Sequence, residues 1–302
     1  MRRKSSANCA TLRLQGRRRL HDRDSGYAGG CSTYRALAID LDGTLLNSKE
    51  EISERNLKAL RAARAAGFSI ILATARWYQL AARVAAEAGA VGPIVACSGA
   101  QVRLPQGHDL LDLRLPAEFA AELYSLCDST RCIATVAFDE RVLVKMEGSP
   151  SSAEMPPGMT AVASLAREAD SLPRIALIQG SETNRRITEE LAPRWKEHVR
   201  FVESISSRGK SIYTLTVAGA DKGVALAVAC ADLGLGLDEV VAFGDAENDI
   251  EMFRVAGGSY AMGQASPHVQ SLAKAVTASN EHDGVAVAIE DLLATGEIRN
   301  CV

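Results

Sequence analysis

The sequence contains no apolar run long enough to cross a membrane. A transmembrane helix needs roughly 18 or more consecutive apolar residues, and none of the 302 residues lies in such a run although 47% of them are hydrophobic. No apolar segment follows the basic N-terminal residues, so we expect no secretory signal peptide. These absences predict a soluble chain of one or two globular domains, without a membrane partner, in the cytoplasm or in the stroma of an organelle.

Cysteine and histidine patterns that are typical of disulfide frameworks and zinc sites are also missing. The seven cysteines are odd in number, scattered and without C-x-x-C spacing, and the five histidines lack the spacing of metal ligands. We therefore predict reduced thiols. Any metal is expected to be a hard cation with oxygen ligands. The cysteines are Cys9, Cys31, Cys97, Cys127, Cys132, Cys230 and Cys301.

The main part of the chain is acidic, although the net charge is only −3. Residues 1–35 carry nine Lys and Arg against two Asp, so their charge is +7 and that of the remaining residues is −10. Binding of nucleic acid depends on basic surface. The acidic main part therefore argues against a nucleic-acid partner.

The basic N-terminal residues 1–35 show no sustained apolar periodicity, and we predict a disordered extension. Their Arg-rich, Ser-containing and acid-poor composition is also typical of an organellar transit peptide. A transit peptide would place the protein in a plastid or mitochondrion instead of the cytoplasm. A start codon assigned too far upstream is a third explanation of the same residues.

The rest of the chain alternates strand-like and helix-like segments. Apolar runs at 36–39, 69–73 and 93–97 are short and uncharged, as in strands that are buried on both faces of a sheet. Segments with helical spacing of apolar residues separate them. This alternation predicts an α/β fold with a doubly wound, Rossmann-like parallel sheet. We assign this core to residues 36–98 and 218–302.

Residues 99–217 interrupt the alternation. Two strand-like segments, 133–138 and 142–144, are close enough to form a β-hairpin, whereas neighbouring parallel strands need a longer crossover. We therefore predict an inserted α+β cap domain over 99–217, with a proline-containing loop at 149–158. A cap above the ligand-binding edge of a sheet can exclude water and select the substrate.

Asp40 and Asp42 directly follow the first predicted strand, in the sequence D-L-D-G-T. Side chains of an extended segment repeat every second residue, so both carboxylates would point to the same side. Like charges at that distance remain ionised only when a cation lies between them or one of them holds a proton. The pair therefore predicts a cation site or an acid–base pair, although an acidic turn without function would have the same sequence.

Other polar residues are predicted to lie at the same edge, because ligands of doubly wound sheets bind beyond the carboxyl ends of the strands. Thr74 follows the second strand, and Asp245 follows a strand at 240–243 and can reach the same cation. Lys222 lies in the first turn of a helix, where the helix dipole disfavours a cation. That position favours a functional role over an idle surface lysine. Asp249 is a weaker candidate, because an acid is also common in a first helical turn.

Four short motifs, in this order, resemble those of the haloacid dehalogenase superfamily of phosphatases. The insert between the second and third motifs, with the segments Met262–Ala265 and Asp283–Ala286, resembles the Cof-type branch, which has a large α/β cap of type IIB. The resemblance covers residues 36–302. The four motifs are Asp40–Thr44, Thr74–Arg76, Lys222–Gly223, and Gly244–Asp245 with Asn248–Asp249.

The resemblance implies a Mg²⁺-dependent phosphatase that acts on a small phosphorylated metabolite, such as a sugar phosphate or a flavin or pyridoxal precursor. Asp40 would be the nucleophile that forms an aspartyl-phosphate. Asp42 would be the general acid and then the general base. Mg²⁺ would be bound by Asp40, the backbone carbonyl of Asp42, and Asp245.

The phosphoryl oxygens would be held by Thr74, Lys222 and Asn248, which supply the charge neutralisation and positioning that phosphoryl transfer needs. Asp249 would support these residues without contacting the substrate itself. Ala75 replaces the glycine that is usual in the second motif, and Ser98 replaces the asparagine that is usual before Gly99–Ala100. We expect both departures to alter contacts with the substrate but not the chemistry.

Two other functions are compatible with parts of this pattern. A phosphosugar mutase uses the same aspartyl nucleophile, but the related mutases carry a longer glycine-containing stretch than Gly244–Asp249. A non-catalytic binding protein on the same fold would be expected to have lost acidic or basic site residues, whereas Asp40, Asp42, Lys222 and Asp245 are all present. The motifs predict no particular oligomeric state.

Overall fold

The computed structural model describes residues 34–146, 155, 158–205 and 209–301. The predicted extension 1–35, except its last two residues, and most of the predicted loop 149–158 lie outside these residues. Among the described residues, no helix combines the length and the apolarity that spanning a bilayer requires. The five cysteines of the described residues are all free thiols, as predicted.

The described residues form two β-sheets. Their strands are β1 (Ala36–Ile39), β2 (Ser69–Ala73), β3 (Ile94–Ala96), β4 (Gln101–Arg103), β5 (Asp109–Asp112), β6 (Ile133–Ala137), β7 (Val142–Lys145), β8 (Met159–Val162), β9 (Ile175–Gln179), β10 (Val199–Ile205), β11 (Ser211–Val217), β12 (Val240–Gly244), β13 (Gly258–Ala261) and β14 (Ala275–Val276).

The helices pack against these sheets, and a π-helical turn at Ile187–Leu191 joins two of them, α5 and α6. The helices are α1 (Glu54–Ala65), α2 (Tyr78–Ala88), α3 (Ala117–Ser129), α4 (Leu165–Glu168), α5 (Ser181–Arg186), α6 (Ala192–Trp195), α7 (Lys222–Leu233), α8 (Ile250–Val255), α9 (Pro267–Leu272) and α10 (Gly284–Thr295).

The first sheet has the strand order β14-β13-β12-β1-β2-β3-β4-β5. Strands β14 to β3 in this order are parallel, and β4 and β5 extend the sheet antiparallel. Alternate residues of β1 face opposite sides: Leu37 and Ile39 pack towards α1, α2 and α10, whereas Ala36 and Ala38 pack towards α7 and α8. Burial on both faces explains why this strand is apolar throughout. The predicted α/β fold with a doubly wound parallel sheet is confirmed.

The second sheet has the order β10-β11-β9-β6-β7-β8 and is antiparallel except between β7 and β8. The predicted hairpin is confirmed as β6 and β7. One face of this sheet packs against α3 and the helical segment α5 to α6. The other face lies towards the first sheet, since Ala137 and Ile175 belong to the same apolar cluster as Leu37.

The boundary between core and cap, placed after residue 98 by the sequence analysis, stays a prediction. Strands β4 and β5 lie in the predicted cap segment 99–217, yet they pair with the first sheet. The turn Cys97–Gly99 reverses the chain after β3 and returns β4 alongside it. We therefore propose to draw the first boundary after β5.

Local signals set the ends of several helices. The Ser53 side chain accepts a hydrogen bond from the backbone N–H of Asn56 at the start of α1. At the start of α7, Asp221 does the same for the backbone N–H of Val224. These side chains satisfy N–H groups that have no partner within the helix. The cap at Asp221 fixes the start of α7, and with it the position of Lys222.

Candidate active site

Asp40 and Asp245 lie side by side at the carboxyl edge of the first sheet. Asp40 follows β1 and Asp245 follows β12, and these strands are parallel neighbours in which Ile39 is paired with Phe243. The backbone N–H of Asp40 continues this pairing by donating to the carbonyl of Phe243 at 3.1 Å. The sheet register therefore brings together two carboxylates that are far apart in the sequence.

Lys222 connects two of the buried carboxylates. Its Nζ donates to Oδ1 of Asp40 at 2.5 Å and to Oδ1 of Asp249 at 2.6 Å, and its side chain is fully buried. Burial alone would lower the pKa of Lys222, but the charges of Asp249 and Asp40 outweigh burial and raise this pKa above its usual value. The ammonium group is therefore retained inside the protein. This contact explains a lysine at the start of a helix, where the dipole disfavours it.

The cluster contains more negative than positive charge. Burial raises the pKa of Asp40 well above its usual range, because the opposing charge of Lys222 is offset by those of Asp249 and Asp245. Burial, followed by the charge of Asp249, raises the pKa of Asp245 to about 6. Three carboxylates with a single lysine leave a surplus of negative charge, which a proton or a cation can neutralise.

The geometry of these carboxylates fits a hard divalent cation. Asp40, Asp245 and Asp249 each offer an oxygen, and these oxygens lie within 4.8 Å of one another. Carboxylate oxygens are the ligands that Mg²⁺ and Ca²⁺ prefer. Gly43 keeps the wall of this site open: it has φ +83°, and a Cβ there would lie 2.4 Å from Oδ2 of Asp245.

Asp249 also shapes the loop after β12. Its Oδ2 accepts hydrogen bonds from the backbone N–H groups of Asp245 and Ala246, both at 3.0 Å. Oδ1 of Asp245 accepts one from the Thr44 hydroxyl at 3.1 Å. Asp249, which the sequence analysis treated as the weaker candidate, is thus fully buried between Lys222 and the loop that carries Asp245.

Asp42 lies apart from this cluster. Its carboxylate accepts a hydrogen bond from Nε of Arg76 at 2.9 Å, and its side chain is 52% exposed. Arg76 also pairs with Glu50 at 3.1 Å. The two aspartates of the D-x-D motif therefore point into different surroundings, Asp40 into the buried cluster and Asp42 towards the partly buried Arg76.

Thr74 and Asn248 are two further predicted site residues, and they follow β2 and β12 at the carboxyl edge of the first sheet. Thr74 is fully buried, and its hydroxyl accepts a hydrogen bond from the backbone N–H of Arg76 at 3.1 Å. The side-chain oxygen of Asn248 is buried and has no hydrogen-bond partner among the described residues. A buried polar atom without a partner is costly. This oxygen is therefore available to accept a hydrogen bond from a ligand.

A cavity of about 360 Å³ lies between the two sheets, directly beside this cluster. Loops of the first sheet form one wall and strands β9 to β11 of the cap form the other. Residues of the first wall include Ala75, Ser98, Lys222 and Asn248, and those of the second include Leu177, Arg200, Val202, Ile212, Thr214 and Thr216.

Comparison with known families tests the predicted resemblance. The model of the haloacid dehalogenase-like hydrolases matches residues 37–289. The chain belongs to this family. The predicted resemblance is therefore confirmed, and the protein is a hydrolase of the haloacid dehalogenase type.

Relatives and solved structures resemble this haloacid dehalogenase-like hydrolase over most of its length. A protein of Arabidopsis thaliana named "Endoribonuclease YBEY, chloroplastic" is 29% identical over 271 residues, which are 83% of this chain and 45% of that protein. This chain thus spans less than half the length of that relative.

The 5-amino-6-(5-phospho-D-ribitylamino)uracil phosphatase YitU of Bacillus subtilis is 28% identical over 269 residues, or 83% of this chain and 94% of that protein. The crystal structure of a haloacid dehalogenase-like hydrolase from Bacteroides thetaiotaomicron gives a TM-score of 0.75 at 26% identity and covers 86% of this chain and 99% of that chain.

The two departures from the motifs of the haloacid dehalogenase family both line the cavity. Ala75 and Ser98 both belong to its first wall. Ser98 has φ 54° and ψ 32°, and its neighbours Cys97 and Gly99 also have positive φ. Asparagine adopts this left-handed conformation more readily than serine. The departure therefore places strain at the edge of the site.

The strained turn is held between two of the haloacid dehalogenase motifs. The backbone N–H of Ser98 donates to the carbonyl of Thr74 at 3.0 Å, and that of Cys97 donates to the carbonyl of Arg76 at 2.9 Å. A Cβ at Gly99 would lie 2.2 Å from the carbonyl oxygen of Asp221, so only glycine fits there. The turn thus fixes the distance between the second motif and the start of α7.

Several residues of the site were not singled out by sequence reasoning. Thr44 and Arg76 belong to the first and second motifs, but no role had been predicted for their side chains. Arg200 and Thr216 of the cap had no sequence signal at all, because their neighbours depend on the pairing of β10 with β11. Of the predicted residues, the structure brings together Asp40, Lys222 and Asp245, with Asp249, and leaves Asp42 outside this group.

Proposed function

We propose that this hydrolase is a Mg²⁺-dependent phosphatase of small phosphorylated metabolites, with Asp40 as its nucleophile. The observation that carries the proposal is the buried contact between Asp40 and Lys222 beside the cavity. Lys222 orients one oxygen of Asp40, and its charge attracts the phosphate group of a substrate. A carboxylate and an ammonium group at such a place are suited to nucleophilic attack on phosphorus.

In the first step, an oxygen of the Asp40 carboxylate forms a bond to phosphorus while the bond from phosphorus to the leaving oxygen breaks. The product is an aspartyl-phosphate and an alcohol. In the second step, a water oxygen bonds to phosphorus and the bond to Asp40 breaks, which releases phosphate and restores the carboxylate. Division into two steps replaces one difficult displacement by two easier ones.

Asp42 would donate a proton to the leaving oxygen in the first step and accept one from water in the second. Its carboxylate lies against Arg76 in this structure. The proton-transfer role therefore requires the side chain to turn away from Arg76 towards the cluster. Because the side chain is 52% exposed, little packing opposes this rotation.

The cluster of carboxylates would hold the divalent cation through Asp40 and Asp245, with the backbone carbonyl of Asp42. When bound, Mg²⁺ would supply positive charge that offsets the charge of the phosphoryl oxygens. Asp249 would keep Lys222 and the loop of Asp245 in place through the hydrogen bonds described above.

The remaining phosphoryl oxygens would be bound by the Thr74 hydroxyl and the Asn248 side chain, next to Lys222. Asn248 and Lys222 both line the cavity. Its volume of about 360 Å³ is in the range of small-molecule sites, roughly 300–1,000 Å³. A relative that is named as a phosphatase of a ribityl-linked uracil phosphate supports a metabolite of similar size.

The experiment that tests this function measures free phosphate released from a panel of phosphomonoesters. We expect turnover with Mg²⁺, loss of turnover with a chelator, and background turnover for Asp40→Asn. Release of free phosphate also separates a phosphatase from a mutase, which would return the phosphoryl group to the sugar. Mg²⁺-dependent turnover that persists in Asp40→Asn would overturn the proposal.

A further inference from the structure

Arg200 of the cap faces the cavity beside the proposed phosphate site. It lies on β10, where alternate residues point to opposite faces of the sheet. Val199 and Phe201 pack into the apolar interior of the cap, whereas Arg200 and Val202 line the cavity. The register places Arg200 opposite Thr216 of β11, which lines the same cavity.

No carboxylate of the described residues pairs with Arg200, although the side chain is partly buried. The acids that line the same cavity have other surroundings. Glu203 accepts hydrogen bonds from Ser211 and Tyr213, and Asp221 caps α7. The third acid, Glu247, has a side chain that is 63% exposed and lies 3.7 Å from a histidine.

Other arginines that are withdrawn from solvent among the described residues do have carboxylate partners. The partly buried Arg76 pairs with Asp42 and Arg103 with Glu140, and the fully buried Arg174 pairs with Asp112. Removing a guanidinium from water is costly unless it is paired. Arg200 therefore differs from this group, and its position in a cavity indicates that the missing partner belongs to a ligand.

We propose that Arg200 binds an oxyanion, a carboxylate or a second phosphate, at the leaving-group end of the substrate. A guanidinium presents paired N–H donors that match the two oxygens of such a group. The substrate would then carry one phosphate at Lys222 and a second anionic group at Arg200. Its carbon skeleton would lie on the apolar side chains of Leu177, Val202 and Ile212 between them. The inference rests on the proposed phosphatase function.

The test compares matched substrates that differ only in the distal group. Glycerol 3-phosphate and 3-phosphoglycerate differ by a carboxylate, and fructose 1-phosphate and fructose 1,6-bisphosphate differ by a phosphate. We expect the wild-type protein to prefer the anionic member of at least one pair. Which pair shows the preference distinguishes a carboxylate from a second phosphate.

The variant Arg200→Ala is expected to lower kcat/KM for the preferred anionic substrate by roughly 10- to 100-fold, since a hydrogen bond to a charged group is lost. The loss is expected mainly in KM, because the contact is distant from phosphorus and is equal in the ground and transition states. Arg200→Lys is expected to lose less. Turnover of p-nitrophenyl phosphate, which has no distal anion, is expected to fall far less than turnover of the anionic substrate.

Arg194→Ala is the matched control. Arg194 lies on the helical side of the cap and pairs with Glu122, so its loss is expected to leave every substrate unaffected. The inference fails if the wild type hydrolyses p-nitrophenyl phosphate but prefers the substrate with the distal anion in neither pair. It also fails if Arg200→Ala slows both members equally. Absence of turnover on every substrate would instead refute the proposed function.

Discussion

Lys222 and Asp40, 182 positions apart in the sequence, form a buried ion pair with an Nζ to Oδ1 distance of 2.5 Å. The same ammonium group pairs with Asp249 at 2.6 Å. A single lysine thus neutralises part of the charge of two buried carboxylates and links α7 to the end of β1 and to the turn before α8. Removal of this one amino group is expected to affect both stability and turnover.

For Lys222→Met we expect a loss of roughly 3–5 kcal/mol in the free energy of unfolding, because two buried carboxylates lose their partner. The measurement is urea denaturation at neutral pH with a chelator present. Lys196→Met is the control, since Lys196 is exposed and surface substitutions usually change stability by no more than about 0.5 kcal/mol. Equal stability of both variants would show that the ion pair contributes nothing to folding.

Divalent cations are expected to raise the melting temperature of the protein, because ligands that bind only the folded state stabilise it. At a concentration of 100 times Kd the gain is about 2.7 kcal/mol. Asp245→Asn removes one of the three clustered carboxylates, so we expect a smaller shift with Mg²⁺ in a thermal denaturation experiment. Asp232→Asn changes an exposed acid of α7 and is expected to keep the full shift. A full shift in Asp245→Asn would remove this residue from the cation site.

Arg174 joins the first sheet to the cap. Its fully buried guanidinium contacts Asp112 of β5 at 2.7 Å and, beyond β6, the Phe138 carbonyl at 2.6 Å and Asp139 at 2.8 Å. For Arg174→Met we expect a loss at the lower end of roughly 3–5 kcal/mol. The reason for the lower end is that the carboxylates of Asp112 and Asp139 are 33% and 52% exposed.

Chemical denaturation measures this loss, and Arg194→Met serves as the comparison. Arg194 forms a surface pair, and such pairs contribute about 0–1 kcal/mol. If Arg174→Met lost no more stability than Arg194→Met, the buried arginine would not be a structural link between the sheets.

The strained serine at the edge of the cavity offers a gain in stability. Ser98 has a left-handed conformation, which costs an L-residue roughly 1–2 kcal/mol. Asparagine tolerates this conformation better, so we expect Ser98→Asn to stabilise the protein by up to about 1 kcal/mol. Denaturant midpoints give the comparison. Ser125→Asn, at an exposed position of α3, should bring no such gain; a lower midpoint for Ser98→Asn would argue that no strain is present.

Much of the site follows from the sequence because strand ends of a parallel sheet meet at one edge. Asp40 and Asp245 each follow an apolar run, so both were predicted to lie at the carboxyl edge of the sheet; the structure adds that the two strands are neighbours. Lys222 stands where a helix dipole disfavours a cation, and that conflict indicated a functional role. In each case a local rule, either strand alternation or the helix dipole, constrained the position of the side chain.

Other features depend on contacts between distant segments and had no local signal. Strands β4 and β5 are short, so their pairing with the first sheet is decided by the turn at Cys97–Gly99, not by periodicity. Asp42 was predicted to point to the same side as Asp40, but beyond the end of the strand its side chain follows its partner Arg76. Arg200 carries no motif, and its role depends on which strand lies beside β10.

Trapping of the covalent intermediate tests most directly whether Asp40 is the nucleophile. Asp42→Asn removes the proton donor and acceptor, so turnover should fall by about 10²- to 10⁴-fold, and the slowed second step should let the aspartyl-phosphate accumulate. After mixing with a phosphomonoester that carries a radioactive phosphoryl group and rapid denaturation, we expect label bound to Asp42→Asn and released by hydroxylamine, as for an acyl phosphate. The double variant Asp40→Asn, Asp42→Asn should retain no label. Label that remains covalently bound in the double variant would contradict the account.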